Sequence, residues 1–146
     1  MQTKSYDPRS FDHLADEFDF VATLSSKPAF FLRNLPSRRD CALDVGCGSG
    51  ILAYELSRFF TQVVAIDISI PMLEMARKKR PAPNIDYRFG DANDLDVVGP
   101  FDAIVSRTTL HHVDDLPATL RRLRSLLRPG GRLIVVDLVK GFFPVH

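Results

Sequence analysis

The 146-residue chain reads as an α/β domain built on a doubly wound, mainly parallel sheet, with helices on both faces. Three features point there. Five short apolar runs alternate with stretches of helical period. The first run is closed by a glycine-rich turn at which a strand hands over to a helix. The length suits one domain, burying roughly two thirds of its unfolded surface. The order βαβαβ…βαβ predicts right-handed crossovers between the strands.

The first nine residues are polar. Phe11, Leu14, Ala15, Phe18 and Ala22 follow i, i+3, i+4, i+7 and predict a helix. A second, short helix starts at Pro28, tolerated in a first turn, and uses Ala29, Phe30, Phe31 and Leu32. Residues 1–40 are thus a helical cover, with Pro36-Ser37-Arg38-Arg39-Asp40 as the hinge into a core over 41–146. Ala42, Leu43 and Val45 form the first buried strand, and Gly46-Cys47-Gly48-Ser49-Gly50 is the turn. Glycine suits positive φ and close approach of a ligand to main chain. A strand, such a turn and a helix start make a seat with amides pointing outward. The following helix presents Leu52, Leu56 and Phe59 or Phe60 on one face.

Val63–Ile68 is a continuous apolar run, as expected of a strand covered on both sides. Ser69 is a good N-cap with Pro71 in the first turn, and the helix ends in Arg77-Lys78-Lys79-Arg80 before Pro81. That basic run reads as a solvated helix terminus, not a nucleic-acid patch. Ile85–Phe89 is the third strand, followed by Gly90-Asp91-Ala92-Asn93-Asp94, and Phe101–Ser106 the fourth. Leu116, Leu120, Leu123 and Leu127 line one helix face, with Arg121, Arg122, Arg124 and Arg128 outward. Pro129-Gly130-Gly131 breaks this helix, and Arg132–Val139 is the fifth strand.

A net charge of +1 gives no global argument for nucleic acid or an anionic membrane. No apolar run approaches the ~18 residues of a membrane span, and the N-terminus lacks a basic-then-apolar leader. Cys41 and Cys47 flank one strand, a spacing that suits neither a disulfide framework nor zinc. A cytoplasmic location follows as the expectation.

Two ligands compete for the glycine turn. A dinucleotide turn wants G-x-G-x-x-G, but Ile51 occupies the place of the third glycine. Asp67 ends the second strand, roughly twenty residues on, where a carboxylate accepts ribose hydroxyls. Asp44, inside the first strand, would repel a pyrophosphate but suits an ammonium or sulfonium. Asp91, after the third strand, is a further acceptor, placed for an adenine amino group. Together they favour a cationic adenosyl ligand.

These segments, with Phe101-Asp102-Ala103-Ile104-Val105 and Leu127-Arg128-Pro129-Gly130-Gly131, occur in a familiar order and spacing. The chain resembles the class I S-adenosylmethionine-dependent methyltransferases, above all the small-molecule branch that includes quinone-biosynthesis enzymes. The resemblance runs from about Tyr6 to Val139. It implies a Rossmann-like core of strand order 3-2-1-4-5, with S-adenosyl-L-methionine as cofactor and S-adenosyl-L-homocysteine as product. It further implies that Gly46, Cys47, Gly48 and Gly50 lie under the methionine part. Asp67 then binds the ribose, Ile68 packs on adenine, and Asp91 with Ala92 reads the adenine edge. Asp44, Met72 and Arg107 complete the cofactor-binding set. Phe11 and Phe18 sit in a segment that folds over the cofactor.

Methyl transfer from a sulfonium is an in-line displacement needing alignment and a dry site, not a nucleophilic side chain. The segment Thr108-Thr109-Leu110-His111-His112-Val113 faces the cofactor by topology, and His112 is the candidate general base. His111-His112 is not a metal pair, since adjacent side chains diverge and a third ligand is lacking. The resemblance departs at the C-terminus, where the family's closing antiparallel hairpin has no counterpart. The reading is therefore of a fragment of a longer enzyme, or of a fifth strand covered by a second copy in a homodimer. The expected partner is a small-molecule methyl acceptor. The alternatives are a module that binds the cofactor without turnover and, remotely, a NAD-dependent oxidoreductase.

Overall fold

The computed structural model describes residues 28–138. The helix expected over Phe11–Ala22 and the last expected residue of the fifth strand, Val139, lie outside them. The elements run α1 (Pro28–Arg33), β1 (Cys41–Val45), α2 (Ile51–Leu56), β2 (Gln62–Asp67), α3 (Ile70–Lys79) and β3 (Ile85–Phe89). Then follow β4 (Phe101–Arg107), a 3-10 turn over Leu110–His112, α4 (Leu116–Leu126) and β5 (Leu127–Val136). All neighbouring strands pair in parallel, in the order β3-β2-β1-β4-β5. This is the doubly wound sheet that the alternating pattern predicts.

Strand residues alternate between two cores because successive side chains leave opposite faces of the pleat. Ala42, Val63, Ala65 and Val105 pack with Phe31, Leu52, Leu56, Phe60 and Leu73 on one side. Leu43, Val45, Val64, Ile66 and Ile104 pack with Leu123 and Leu126 on the other. Phe31 and Leu35 belong to the first of these clusters, so the end of the N-terminal segment is part of the core. On the second side no helix joins β3 to β4. Leu95 and Val97 of that connection are buried in its place.

Three expectations are corrected. In α4 the buried residues are Thr119, Leu123 and Leu126, while Leu116 (43% exposed) and Leu120 face out. Both sets have helical spacing and share Leu123, and the sheet selects the set that ends next to β5. Leu127 is already in β5, which starts ahead of Pro129 and resumes regular pairing at Arg132 after an irregularity. Arg128 does not point to solvent: its Nε donates to Asp102 Oδ1 at 3.1 Å.

Asp102 explains the last point. It is 2% exposed. Its Oδ2 accepts from the amides of Asp40 (2.8 Å) and Cys41 (3.0 Å), fastening the entry of β1 to β4. Removing this carboxylate leaves two amides and a guanidinium without their acceptor in a partly buried place. Asp102→Ala is expected to cost about 3 kcal/mol in urea unfolding. A loss below about 1 kcal/mol would show that solvent replaces the carboxylate.

Candidate functional site

Parallel pairing brings the C-terminal ends of all five strands to one edge, the usual place for a ligand crevice in such sheets. A cavity of about 580 Å³ lies there. Of the predicted site residues, Asp44, Gly46, Cys47, Gly48, Asp67, Ile68, Met72, Asp91, Ala92, Arg107 and His112 line it. Gly50 does not. It is the residue before α2, at φ 85°, and a Cβ there would stand 2.5 Å from Tyr87 Oη. Its role is to let the turn close over Tyr87, whose hydroxyl donates to Arg80 O at 2.9 Å.

The glycine turn is held from within the protein. The amides of Gly46 and Cys47 both donate to Ile66 O, at 2.9 and 2.8 Å, and Gly50 N donates to Cys47 O at 3.0 Å. Gly48 N donates to Asp67 Oδ2 at 2.8 Å. The expectation of amides pointing outward fails at these four positions, because β2 lies close enough to take three of them and the turn itself takes the fourth. Gly46, at φ 75°, is required for a second reason: a Cβ would fall 2.0 Å from Thr109 Oγ1. Turn and β4 exit are therefore packed together.

Asp67 also accepts from Ser69 N through Oδ1, at 2.9 Å, so one carboxylate joins the turn to the start of α3. Asp91 accepts from Asn93 N through Oδ1 at 2.9 Å, so it shapes its own turn as well as lining the cavity. Asn93 in turn accepts from Asp114 N at 2.9 Å, linking the β3 and β4 exits.

Asp44 has the most unusual environment. It is 2% exposed, and its Oδ2 is buried without a hydrogen-bond partner. Burial, and secondarily the charge of Asp67, push its carboxyl up to about 7, against an opposing pull from Arg107. Burial likewise raises the Cys47 thiol well above its ordinary value, aided by Asp44 and Asp67, so this cysteine stays a neutral wall residue.

Sequence reasoning left out Ile51 and Leu52 as lining residues, whereas Thr108, Thr109 and His111, of the segment expected to face the cofactor after the fourth strand, do line the cavity. Thr108 adopts φ 53°, a left-handed conformation rare for a β-branched residue, and its N donates to Val136 O at 2.7 Å. His111 is gripped by Asp137 from the end of β5: Nδ1 lies 2.6 Å from Oδ1, and the backbone N donates to Oδ2 at 3.2 Å. The rings of His111 and His112 are 3.7 Å apart. Burial, then the neighbouring His111, lower the His112 pKa. Among the described residues no cluster of His, Cys, Asp or Glu could hold a metal ion, and no helix is long and apolar enough to cross a membrane.

Residues 43–135 match the family model described as a methyltransferase domain. An uncharacterized methyltransferase of Mycobacterium tuberculosis is 40% identical over 106 residues, 72% of this chain and 54% of that one. A ubiquinone biosynthesis O-methyltransferase of Xanthomonas axonopodis pv. citri is 39% identical over 100 residues, 66% of this chain and 42% of that one. The chain thus spans about half the length of the curated relatives it matches. Among solved structures, the DhpI–SAH complex superposes with a TM-score of 0.75 at 26% identity, over 91% of this chain and 66% of that one. An S-adenosylmethionine dependent methyltransferase from Mesorhizobium loti superposes with a TM-score of 0.68 at 28% identity, over 74% of this chain and 51% of that one.

The raised Asp44 carboxyl fixes the sign of one stability effect. The folded state keeps this proton up to about pH 7, whereas the unfolded chain releases it near 3.8. Folding therefore binds a proton between those values, and this residue's contribution worsens as pH rises through that window. Asp44→Asn is expected to be the more stable protein at pH values above 7, by on the order of 3 kcal/mol. The gap should close towards pH 4, as read by thermal melts across a pH series; a gap independent of pH would show that Asp44 does not hold its proton.

Proposed function

Because the chain belongs to the class I S-adenosylmethionine-dependent methyltransferases, matched as a methyltransferase domain over residues 43–135, we propose that it transfers a methyl group from S-adenosylmethionine to a small-molecule acceptor. The observation that carries this reading is the unpaired, buried Asp44 oxygen in the cavity wall. A carboxylate in that position destabilises an anionic ligand and gains a partner from a cationic one. The bent glycine turn, with the amides of Gly46, Cys47, Gly48 and Gly50 already bonded, supports the same choice. A pyrophosphate would need those amides and would meet Asp44, so the nicotinamide-dinucleotide reading loses its physical basis.

When bound, S-adenosylmethionine supplies a methyl group activated by a positively charged sulfur. Asp44 balances positive charge at the exit of β1. Asp67, its two oxygens oriented by Gly48 N and Ser69 N, accepts the ribose hydroxyls. Ile68 and Met72 offer apolar surface to the adenine, and the Asp91–Ala92 pair reads its polar edge. Arg107 is the basic group in the cavity wall and suits the carboxylate of the amino-acid part. The segment after β4, with Thr108, Thr109 and the two histidines, faces this set across the cavity and forms the acceptor side. Catalysis in this arrangement is alignment and exclusion of water.

Calorimetric titration with S-adenosylhomocysteine and with its 2′-deoxy analogue tests the Asp67 assignment without confusing it with the residue's structural bonds. The wild-type protein is expected to prefer the ribose form by about 2 kcal/mol, roughly thirtyfold, and Asp67→Ala to lose that preference. Equal affinities in the wild type would remove Asp67 from the ribose site. Tighter binding of NAD than of either compound would overturn the methyl-transfer reading.

A further inference from the structure

We propose that cofactor binding at this site exchanges a proton for a positive charge. Asp44 is neutral in the free protein, and it gives its proton to solvent when the cationic group of the ligand takes the place beside it. The inference rests on the methyl-transfer reading above. It adds a coupling of cofactor affinity to pH, with Asp44 as the residue that sets it.

The surroundings of this carboxyl suit an uncharged group. In the sheet register Asp44 pairs with Ala65 of β2 on one side and Val105 of β4 on the other. Both are fully buried, and neither side chain carries a polar atom. The backbone N–H of Ala53 in α2 donates to the carboxyl, and Oδ2 is left buried with no partner. A carboxylate uncompensated in such a place costs far more than a neutral carboxyl, so the group keeps its proton. The charged and titratable groups that bear on it come from four elements: Asp67 from β2, Arg107 from β4, Cys47 from the glycine turn and Tyr87 from β3. Asp67 opposes ionisation and Arg107 favours it. Burial raises the Cys47 thiol and the Tyr87 hydroxyl, so both stay neutral. The net result is a carboxyl that titrates at about 7.

A cation alters this situation. A positive group within reach of Oδ2 supplies the missing partner, and an opposite charge at that range lowers a carboxyl pKa by about 1–3 units. In weakly acidic solution the O–H bond of the carboxyl then breaks, its proton passes to solvent, and the carboxylate left behind pairs with the ligand. The ligand prefers the ionised form. Its affinity is therefore highest above about pH 7 and falls as acid protonates the free protein. S-adenosylmethionine carries two positive groups, an ammonium and a sulfonium, and S-adenosylhomocysteine keeps only the first. Paired with the ammonium, Asp44 holds cofactor and product alike; paired with the sulfonium, it favours the cofactor.

Calorimetric titration of the whole chain, repeated in buffers of different ionisation enthalpy, counts the protons released. Work between roughly pH 5 and 6.5 stays below the titration of an α-amino group. Failure of both S-adenosylmethionine and S-adenosylhomocysteine to bind at any pH would bring down the methyl-transfer reading itself. With binding established, the wild-type protein is expected to release roughly 0.4–0.8 proton per ligand at about pH 6. It should bind roughly tenfold to fiftyfold more weakly at about pH 5 than at about pH 7.5. Asp44→Asn is expected to bind much as the wild type does at about pH 5 and roughly tenfold or more weakly at about pH 7.5. The histidines that line the same cavity are unchanged in that variant, so the difference between the two proteins isolates the Asp44 proton. Methylthioadenosine, an adenosyl thioether without charge, should bind with no such release. Release with both charged ligands assigns the ammonium as the partner, and release with S-adenosylmethionine alone assigns the sulfonium. Affinity independent of pH, or equal release in Asp44→Asn or with the uncharged thioether, would overturn the exchange while leaving the methyl-transfer reading in place. Infrared difference spectra of the wild-type protein at about pH 6 should show a protonated carboxyl lost on addition of the ligand. Absence of that loss would refute the proposal even if the variant folds poorly.

Discussion

One carboxylate ties the binding edge of this sheet together. Asp67 takes Gly48 N on one oxygen and Ser69 N on the other, and so fixes the glycine turn after β1 against the start of α3 after β2. The amides of Gly46 and Cys47 go to Ile66 O and that of Gly50 to Cys47 O. The bent conformation is thus dictated by β2 and not by whatever lies above it. Thr109 packed against Gly46 and Tyr87 against Gly50 leave no alternative path for the chain. A crevice shaped in advance has little to order when a ligand arrives, which lowers the entropic cost of binding.

The same preorganisation concentrates acid. Asp44, Asp67, Asp91 and Asp114 line the cavity, with Arg107 as its basic group. In a low-dielectric wall such an imbalance is unfavourable, and Asp44 responds by holding its proton to about pH 7. A positive ligand relieves this strain by giving the charge a partner. Electrostatic cost in the empty fold and selectivity for a cationic ligand are two aspects of one arrangement.

Most of the fold was legible because its determinants are local. The apolar runs, the Gly46–Gly50 turn and the Ser69 cap with Pro71 each occupy a few consecutive residues. The acids near the exits of β1, β2 and β3 were legible for the same reason: each lies within two residues of a strand end. What escaped depends on partners far away in sequence. The amides of the glycine turn looked free until β2 supplied Ile66 O and Asp67. Arg128 looked solvated until Asp102, 26 residues earlier, proved to be its partner. The α4 stripe was ambiguous because Leu116-Leu120-Leu123 and Thr119-Leu123-Leu126 have equal claims by period, and only packing against the sheet decides. His111 and Asp137 are likewise 26 residues apart, and nothing near either residue announces the other.

That last pair follows from register. The strand order turns back between β1 and β4, so the exits of β1, β2 and β3 lie on one side of the switch and those of β4 and β5 on the other. The acids assigned to the cofactor occupy the first group. Thr108, bent into a left-handed conformation just past β4, leads the chain into the second, where Asp137 meets His111. Holding a non-glycine residue there costs on the order of 1–3 kcal/mol and persists only where the surroundings enforce it. An in-line displacement needs the leaving sulfur and the incoming atom on opposite sides of one carbon. A sheet whose order reverses between β1 and β4 supplies two groups of lining residues from a single edge, the acids near the exits of β1, β2 and β3 and the segment with Thr108, Thr109 and the two histidines after β4.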